Sequence, residues 1–500
     1  MVSQSGRRAV SAVVLSAVLV LAVPPSAEGG VPPTVMRTVD IAAAGLLPAS
    51  SADARGALRA SEDGWTRTRT LCAPITFTMA GLTWRQAGDG HVDAELAWGT
   101  PEATGPAVRV EAEPADGPDP GSPEDTGVTG IAPVWTGEAT CVRVRLHLSR
   151  GTALRDVRAV FLNTSGTAHG RSPLAAVGSV LAGAWGIVAP DPADAMPAKP
   201  ALIRRRQWGA NENLRQCGPD YAPALKMAYV HHTATGNGYS RAEADDVIRG
   251  IYAYHVKGRG YCDIAYNFLV DRFGRIYEGR YGGPARPVIG GHAMGFNTGS
   301  TGVAALGDFT RREPPAAMVG ALVRLLAWRL DAAFQRPGGK TTMVSAGGSN
   351  QKFRKGERVT LPVISGHRDT GYTSCPGDRL YARLPNIRTR AQALGLPKLY
   401  RPAASRSTIE AGRQSARYQG KLSGDIRWFV RFRDSDGTWV AALGGRGRAI
   451  DARWDGTDEA GLPVPEGRYQ VKVGGRDPAT GKRTRPKWFT LRVTVPDPVP

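Results

Sequence analysis

The chain reads as multidomain, with a central α/β module, a mixed β-sheet flanked by helices, set between an N-terminal β-sandwich-like domain and a C-terminal β-sandwich. Three observations predict this. Short stretches with period-two apolar spacing fill residues 64–165 and 423–500. Strand-like segments alternate with amphipathic helical ones over 201–396. Segments rich in Ala, Gly and Pro (166–200) or in polar residues and Arg (397–422) separate them. The 500 residues, with 62 Gly and 37 Pro, suit several small cores better than one large one.

Taken in order, Arg7 and Arg8 precede an apolar run, Ala9 to Val23, and then Pro24, Pro25, Ser26 and Ala27. That pattern predicts a signal peptide over 1–30, because a membrane span needs about 20 apolar residues. No later segment reads as a transmembrane anchor. The expected location is therefore secreted, extracellular or attached to the cell wall. The arginine pair leaves Sec and twin-arginine export both open. Residues 31–63 show little periodicity and read as a flexible N-terminus. From residue 64, stretches such as Val92 to Trp98 and Cys141 to Leu148 alternate apolar and polar residues as half-buried strands do. Pro114 to Gly130 is acidic and Pro/Gly-rich, and reads as a surface loop.

In the central module Ser240 and Glu243 form a capping-box pattern before a helical apolar series through Val247, Ile251 and His255. Tyr266 to Val270 and Arg275 to Glu278 flank Asp-Arg-Phe-Gly as a β-hairpin. Val303 to Leu306 reads as a buried strand, and Pro314-Pro315 opens a long helix. A basic, Gly-rich insertion, 337–357, precedes a strand at 360–365. Tyr381 to Leu394 reads as a last helix kinked at Pro385. In the C-terminal module Asp434-Ser-Asp-Gly437 lacks the later ligands of a calcium loop and reads as a hairpin turn.

The chain has five cysteines. In an exported protein the simplest partition is one bridge per module, Cys72–Cys141 and Cys217–Cys262, which leaves Cys375 as a thiol. The net charge of +20 would suit nucleic acid, but export argues against that partner and favours anionic cell-wall polymers.

Two segments carry chemistry. Tyr229-Val-His231-His232 is strand-like and ends in paired imidazoles. Val363 to Pro376 runs through His367 to Cys375. Two imidazoles and a thiolate with an open fourth position make a catalytic Zn2+ site. Adjacent strand residues point to opposite faces, so only one of His231 and His232 can join His367 and Cys375, and parity alone does not choose. Hydroxyls near these ligands, Tyr266, Thr373 and Ser374, are candidates to stabilise a developing oxyanion.

These pieces resemble the peptidoglycan recognition protein family, which shares its fold with zinc-dependent type 2 N-acetylmuramoyl-L-alanine amidases. The matching segments, spread over 204–395, are Val230 to Ala234, Cys262 to Val270, Ile276 to Arg280, Gly291 to Asn297, Ser300 to Phe309 and Gly366 to Gly377. The resemblance implies that His231, His367 and Cys375 hold zinc, with Tyr266 and Thr373 assisting at the scissile carbonyl. It implies that His292 and Asn297 line the groove; His232 and Arg280 are further candidate substrate contacts. Members that only bind wall fragments lack the cysteine, so its presence favours hydrolysis of the bond between the lactyl group and L-Ala over a non-catalytic binding role. The expected partners are peptidoglycan and its muropeptides, met by a monomer. The insertion 337–357 departs from the animal members. The C-terminal Trp454-Asp-Gly456…Gly467-Arg-Tyr469 resembles the immunoglobulin-like module of a flagellar hook-capping protein, and implies an Ig-like spacer or wall-binding domain.

Overall fold

A computed structural model of the chain describes residues 31–41, 57–59, 65–67, 70–88, 90–112, 116–168 and 196–495. The signal peptide expected at 1–30 and most of the linker expected at 166–200 lie outside them. No helix among the described residues is long and apolar enough to cross a membrane.

The N-terminal module is a single eight-stranded, antiparallel sheet rather than two stacked ones. Its long strands, Leu71–Ala87, Thr129–Leu148 and Ala153–Asn163, pair with several register shifts. Such bulges bend and twist a strand, which lets one sheet enclose a core that includes Phe77, Trp84, Leu146 and Phe161. Cys72 and Cys141 are paired in register and joined by the predicted disulfide. The expectation of a flexible N-terminus fails at Val35–Asp40, which is an edge strand paired along its length with Asn163 to Arg158.

The central sheet has the strand order Ile276–Glu278, Phe268–Val270, Ser300–Ala305, Met227–His232, Ile364–Gly366. The first pair is the predicted antiparallel hairpin, and the remaining neighbours are parallel. Helices Ala316–Ala332 and Leu384–Ala393 cover one face, burying Val230, Val270, Val303 and Ala305. Helix Ala244–Ala253 covers the other, with Leu269, Tyr277 and Ala304. The capping box forms, Ser240 N–H donating to Glu243 Oε2 at 2.7 Å and Glu243 N–H to Ser240 Oγ at 3.3 Å. Pro385 starts a helix instead of kinking one: Asp378–Tyr381 and Leu384–Ala393 are separate, with the proline in the first turn, where its missing N–H costs nothing. The basic insertion is built into a hairpin, Lys340–Val344 pairing with Arg358–Pro362.

The C-terminal module is a six-stranded sheet. It begins at Leu399–Ala404, and Ala416–Arg433 is one long strand, so the linker expected at 397–422 is largely sheet. The alternation is present there, with Ala416, Tyr418, Gly420 and Leu422 buried between more exposed Arg417, Gln419 and Lys421. The early part of this strand pairs with Leu399–Ala404 and the later part with Gly467–Arg476. Asp434 forms the hairpin turn, its Oδ1 accepting the N–H groups of Asp436 and Thr438.

Candidate metal centre

Register settles which of the paired histidines turns inward. His231 lies opposite Ala304 and His232 opposite Ala305, so His231 shares the face of helix Ala244–Ala253 and His232 that of Ala316–Ala332. The strand Ile364–Gly366 runs parallel beside Met227–His232, and its chain continues directly into a short helical turn, His367–Asp369. Both strands thus deliver an imidazole at their C-terminal ends, where open α/β sheets place their ligands. Cys375 returns to the same point, held by Arg368 N–H donating to its carbonyl at 2.9 Å and by its own N–H donating to Thr373 Oγ1 at 3.1 Å.

The outcome is a compact donor set. Ligand atoms of His231, His367 and Cys375 lie within 4.8 Å of one another, and all three residues are fully buried. Cys375 Sγ is 3.6 Å from His231 Nδ1. A nitrogen and a sulfur on one tetrahedral zinc would stand roughly 3.5 Å apart, given bonds of about 2.0 and 2.3 Å. Both ring nitrogens of His367 are buried, and Nε2 makes no hydrogen bond among the described residues. Burial first, then the neighbouring His367 and His292, hold His231 well below the ordinary imidazole value. A neutral imidazole keeps the lone pair a metal needs. Geometry, burial and donor chemistry therefore fit zinc.

His292 is fully buried, and its Nδ1 lies 3.1 Å from His231 Nε2, so it fixes the ring that presents Nδ1 toward Cys375. Two glycines make room for it. A Cβ on Gly302 would lie 2.4 Å from the His292 ring, and one on Gly290 2.5 Å. Asn297 accepts the N–H groups of His292 and Ala293 and so holds that turn. His232 is on the other face, where its Nδ1 accepts Phe309 N–H at 3.3 Å beside Asp308. Burial lowers its pKa to about 4. Arg280 is buried and paired with Glu124. Tyr266 is buried with its ring 5.4 Å from that of His231. The predicted disulfide Cys217–Cys262 ties the outer loops of this module.

One residue at the centre has no counterpart in the sequence reading. Asp116, from the segment read as a surface loop, is buried with Oδ1 2.9 Å from His367 Nδ1 and 3.9 Å from His231 Nδ1. In sequence it stands out as one of an acidic cluster in a basic chain.

Comparison with known proteins falls on the central module. Residues 221–378 match the family model Amidase_2, N-acetylmuramoyl-L-alanine amidase. Peptidoglycan-recognition protein 1 of Holotrichia diomphalia is 33% identical over 187 residues, 37% of this chain and 80% of that protein. Peptidoglycan recognition protein 1 of Bos taurus is 27% identical over 187 residues, 36% of this chain and 80% of that protein. The solved structure of wild-type Drosophila PGRP-LB is similar at 27% identity and a TM-score of 0.29, covering 37% of this chain and 92% of that one.

Proposed function

The chain belongs to the peptidoglycan recognition protein family, and from that premise we propose that it is an exported, zinc-dependent N-acetylmuramoyl-L-alanine amidase. Its substrate is the amide between the lactyl group of N-acetylmuramic acid and L-Ala in peptidoglycan. The observation that carries the reading is the Cys375 thiol, buried and 3.6 Å from His231 Nδ1, with His367 completing the set. When bound, zinc supplies an acidified water and polarises the carbonyl.

The chain's own groups would do the rest. His231, His367 and Cys375 hold the ion, and His292 fixes the tautomer of His231. Tyr266 would donate its hydroxyl proton to the oxygen that gains charge. Thr373 Oγ1 already accepts from Cys375 N–H, so its own proton remains to be donated at the same oxygen. Tyr229, His231 and Tyr266 are all buried, and this would limit the access of bulk water to the reacting bond.

Two disulfides suit an oxidising compartment, which supports export. The charge of +20 supports an ionic-strength-dependent attraction to anionic wall polymers. Metal analysis of the purified protein, with mass spectrometry of digested wall, tests the reading. Stoichiometric zinc and free stem peptides with new L-Ala amino termini are expected. A protein without zinc that releases none would instead be a binding module.

A further inference from the structure

We propose that Asp116 is a fourth donor of the metal centre, supplied by the N-terminal module, and that the segment Asp116 to Glu124 closes the substrate groove. The inference rests on the amidase reading, since it concerns the same centre.

The carboxylate stands among groups assigned to the chemistry. Its distances to the two imidazoles, 2.9 and 3.9 Å, bracket the roughly 3.3 Å expected of an oxygen and a nitrogen on one tetrahedral zinc. Its other oxygen, Oδ2, accepts the Tyr266 hydroxyl at 3.2 Å. One carboxylate thus faces both imidazoles and also takes up the hydroxyl proposed for the scissile carbonyl.

The backbone around it is held as firmly. The Asp116 carbonyl accepts from Arg259 at 3.1 Å and from Tyr261 Oη at 3.2 Å. Asn297 Nδ2 donates to Gly117 O at 2.9 Å and to Asp119 Oδ1 at 2.8 Å. Glu124 pairs with Arg280 and accepts Cys262 N–H at 3.0 Å. Tyr266, assigned by the resemblance to catalysis, and Asn297 and Arg280, assigned to substrate, therefore all bind this segment. The fit is close. A Cβ on Gly117 would lie 3.2 Å from Tyr261 Oη, and one on Gly348, in the basic insertion, 3.2 Å from Pro120. Substrate and segment compete for one set of partners, so the protein as folded is a latent form whose groove opens when the segment leaves.

The test uses four full-length proteins: wild type, Asp116→Ala, Asp116→Asn, and the double variant Asp119→Asn/Glu124→Gln, which weakens the segment's hold without touching the donor. Circular dichroism checks folding; the isosteric Asp116→Asn supplies the donor result if Asp116→Ala does not fold. Zinc affinity is measured by chelator competition. Groove access is measured by calorimetry with a muramyl tripeptide whose lactyl–alanine amide is reduced and uncleavable. Both Asp116 variants are expected to bind zinc about tenfold more weakly or worse. The double variant is expected to bind the analogue at least about tenfold more tightly than wild type, with zinc affinity unchanged. Wild-type zinc affinity in both Asp116 variants would overturn the fourth donor. Equal analogue binding by wild type and double variant, or none by either, would overturn the closure. A double variant that binds the analogue more tightly but releases no stem peptides from wall would leave the closure standing and sink the amidase reading.

Discussion

The two flanking modules are built alike and meet the central module in opposite electrostatic senses. The N-terminal one brings carboxylates, Asp116, Asp119 and Glu124, to buried imidazoles, an amide and an arginine of the central module. The C-terminal one brings a base to a buried acid: Arg485 Nε lies 3.0 Å from Asp331 Oδ2, near the end of helix Ala316–Ala332. Both modules are β-rich, with similar turns and alternation, yet among the described residues only the first reaches the metal centre. Texture in the sequence tells what a module is made of. Its role depends on which of its loops meets which end of the neighbouring sheet.

The contrast breaks down if the centre is not functional, so the largest effect belongs there. Cys375→Ser removes the thiolate, and release of stem peptides from purified wall is expected to fall by about a thousandfold or more, with loss of bound zinc. Retention of full activity would remove the functional half of the comparison. Next is His292→Ala, which leaves the three donors in place but frees the His231 ring. Zinc affinity, read by chelator competition, is expected to weaken about 10- to 100-fold. An unchanged affinity would return His292 to a packing role. On the C-terminal side, Arg485→Ala leaves Asp331 buried, with the buried Lys398 as its remaining basic neighbour. Thermal or urea unfolding is expected to show a loss of about 1–3 kcal/mol, while zinc affinity stays as in wild type. A parallel loss of zinc would show that the C-terminal seam also supports the site.

The central module was legible because its signals are local. A strand ending in His231-His232 and a Gly-broken turn after His367 each reflect a few neighbouring residues, and the one thiol left over by two bridges needs only a count of the cysteines. The choice of His231 over His232 was not local, because it depends on the register with Ser300–Ala305. The orienting role of His292 depends likewise on Gly290 and Gly302, far apart in sequence, leaving a slot for its ring. Asp116 was harder still. Its Gly and Pro neighbours correctly signal a turn-rich segment, but burial of that segment comes from the docking of two modules, which no periodicity records. The strand at Val35–Asp40 and the strands within 399–422 were missed for a related reason: short edge strands and Arg-rich alternation look like linker until a partner strand supplies the hydrogen bonds.

A last contrast separates the two seams by pH. His255 sits in the turn Tyr254–Gly258, whose Tyr254 hydroxyl donates to Leu82 O and Ile131 O of the N-terminal module. It is buried, its Nδ1 accepts Ala265 N–H at 3.1 Å, and burial lowers its pKa to about 3. The folded protein thus keeps this ring neutral while the unfolded chain takes up a proton below pH ~6.5. Stability therefore falls as pH drops from about 6.5 to about 3, by up to about 1.4 kcal/mol per pH unit from this group. At the C-terminal seam, Lys398 donates to Ala391 O and is pushed down by burial to about 8. There the unfolded chain binds the extra proton between pH ~10.4 and about 8, so stability falls as pH drops through that higher window and not below it. His255→Asn keeps an acceptor near the position of Nδ1 and removes the titration. Urea unfolding of this variant is expected to match wild type near pH 7.5 and to lose less stability between pH 6 and 4, with the alkaline limb unchanged. An acid limb as steep as that of wild type would mean that His255 does not set the pH response of the N-terminal seam.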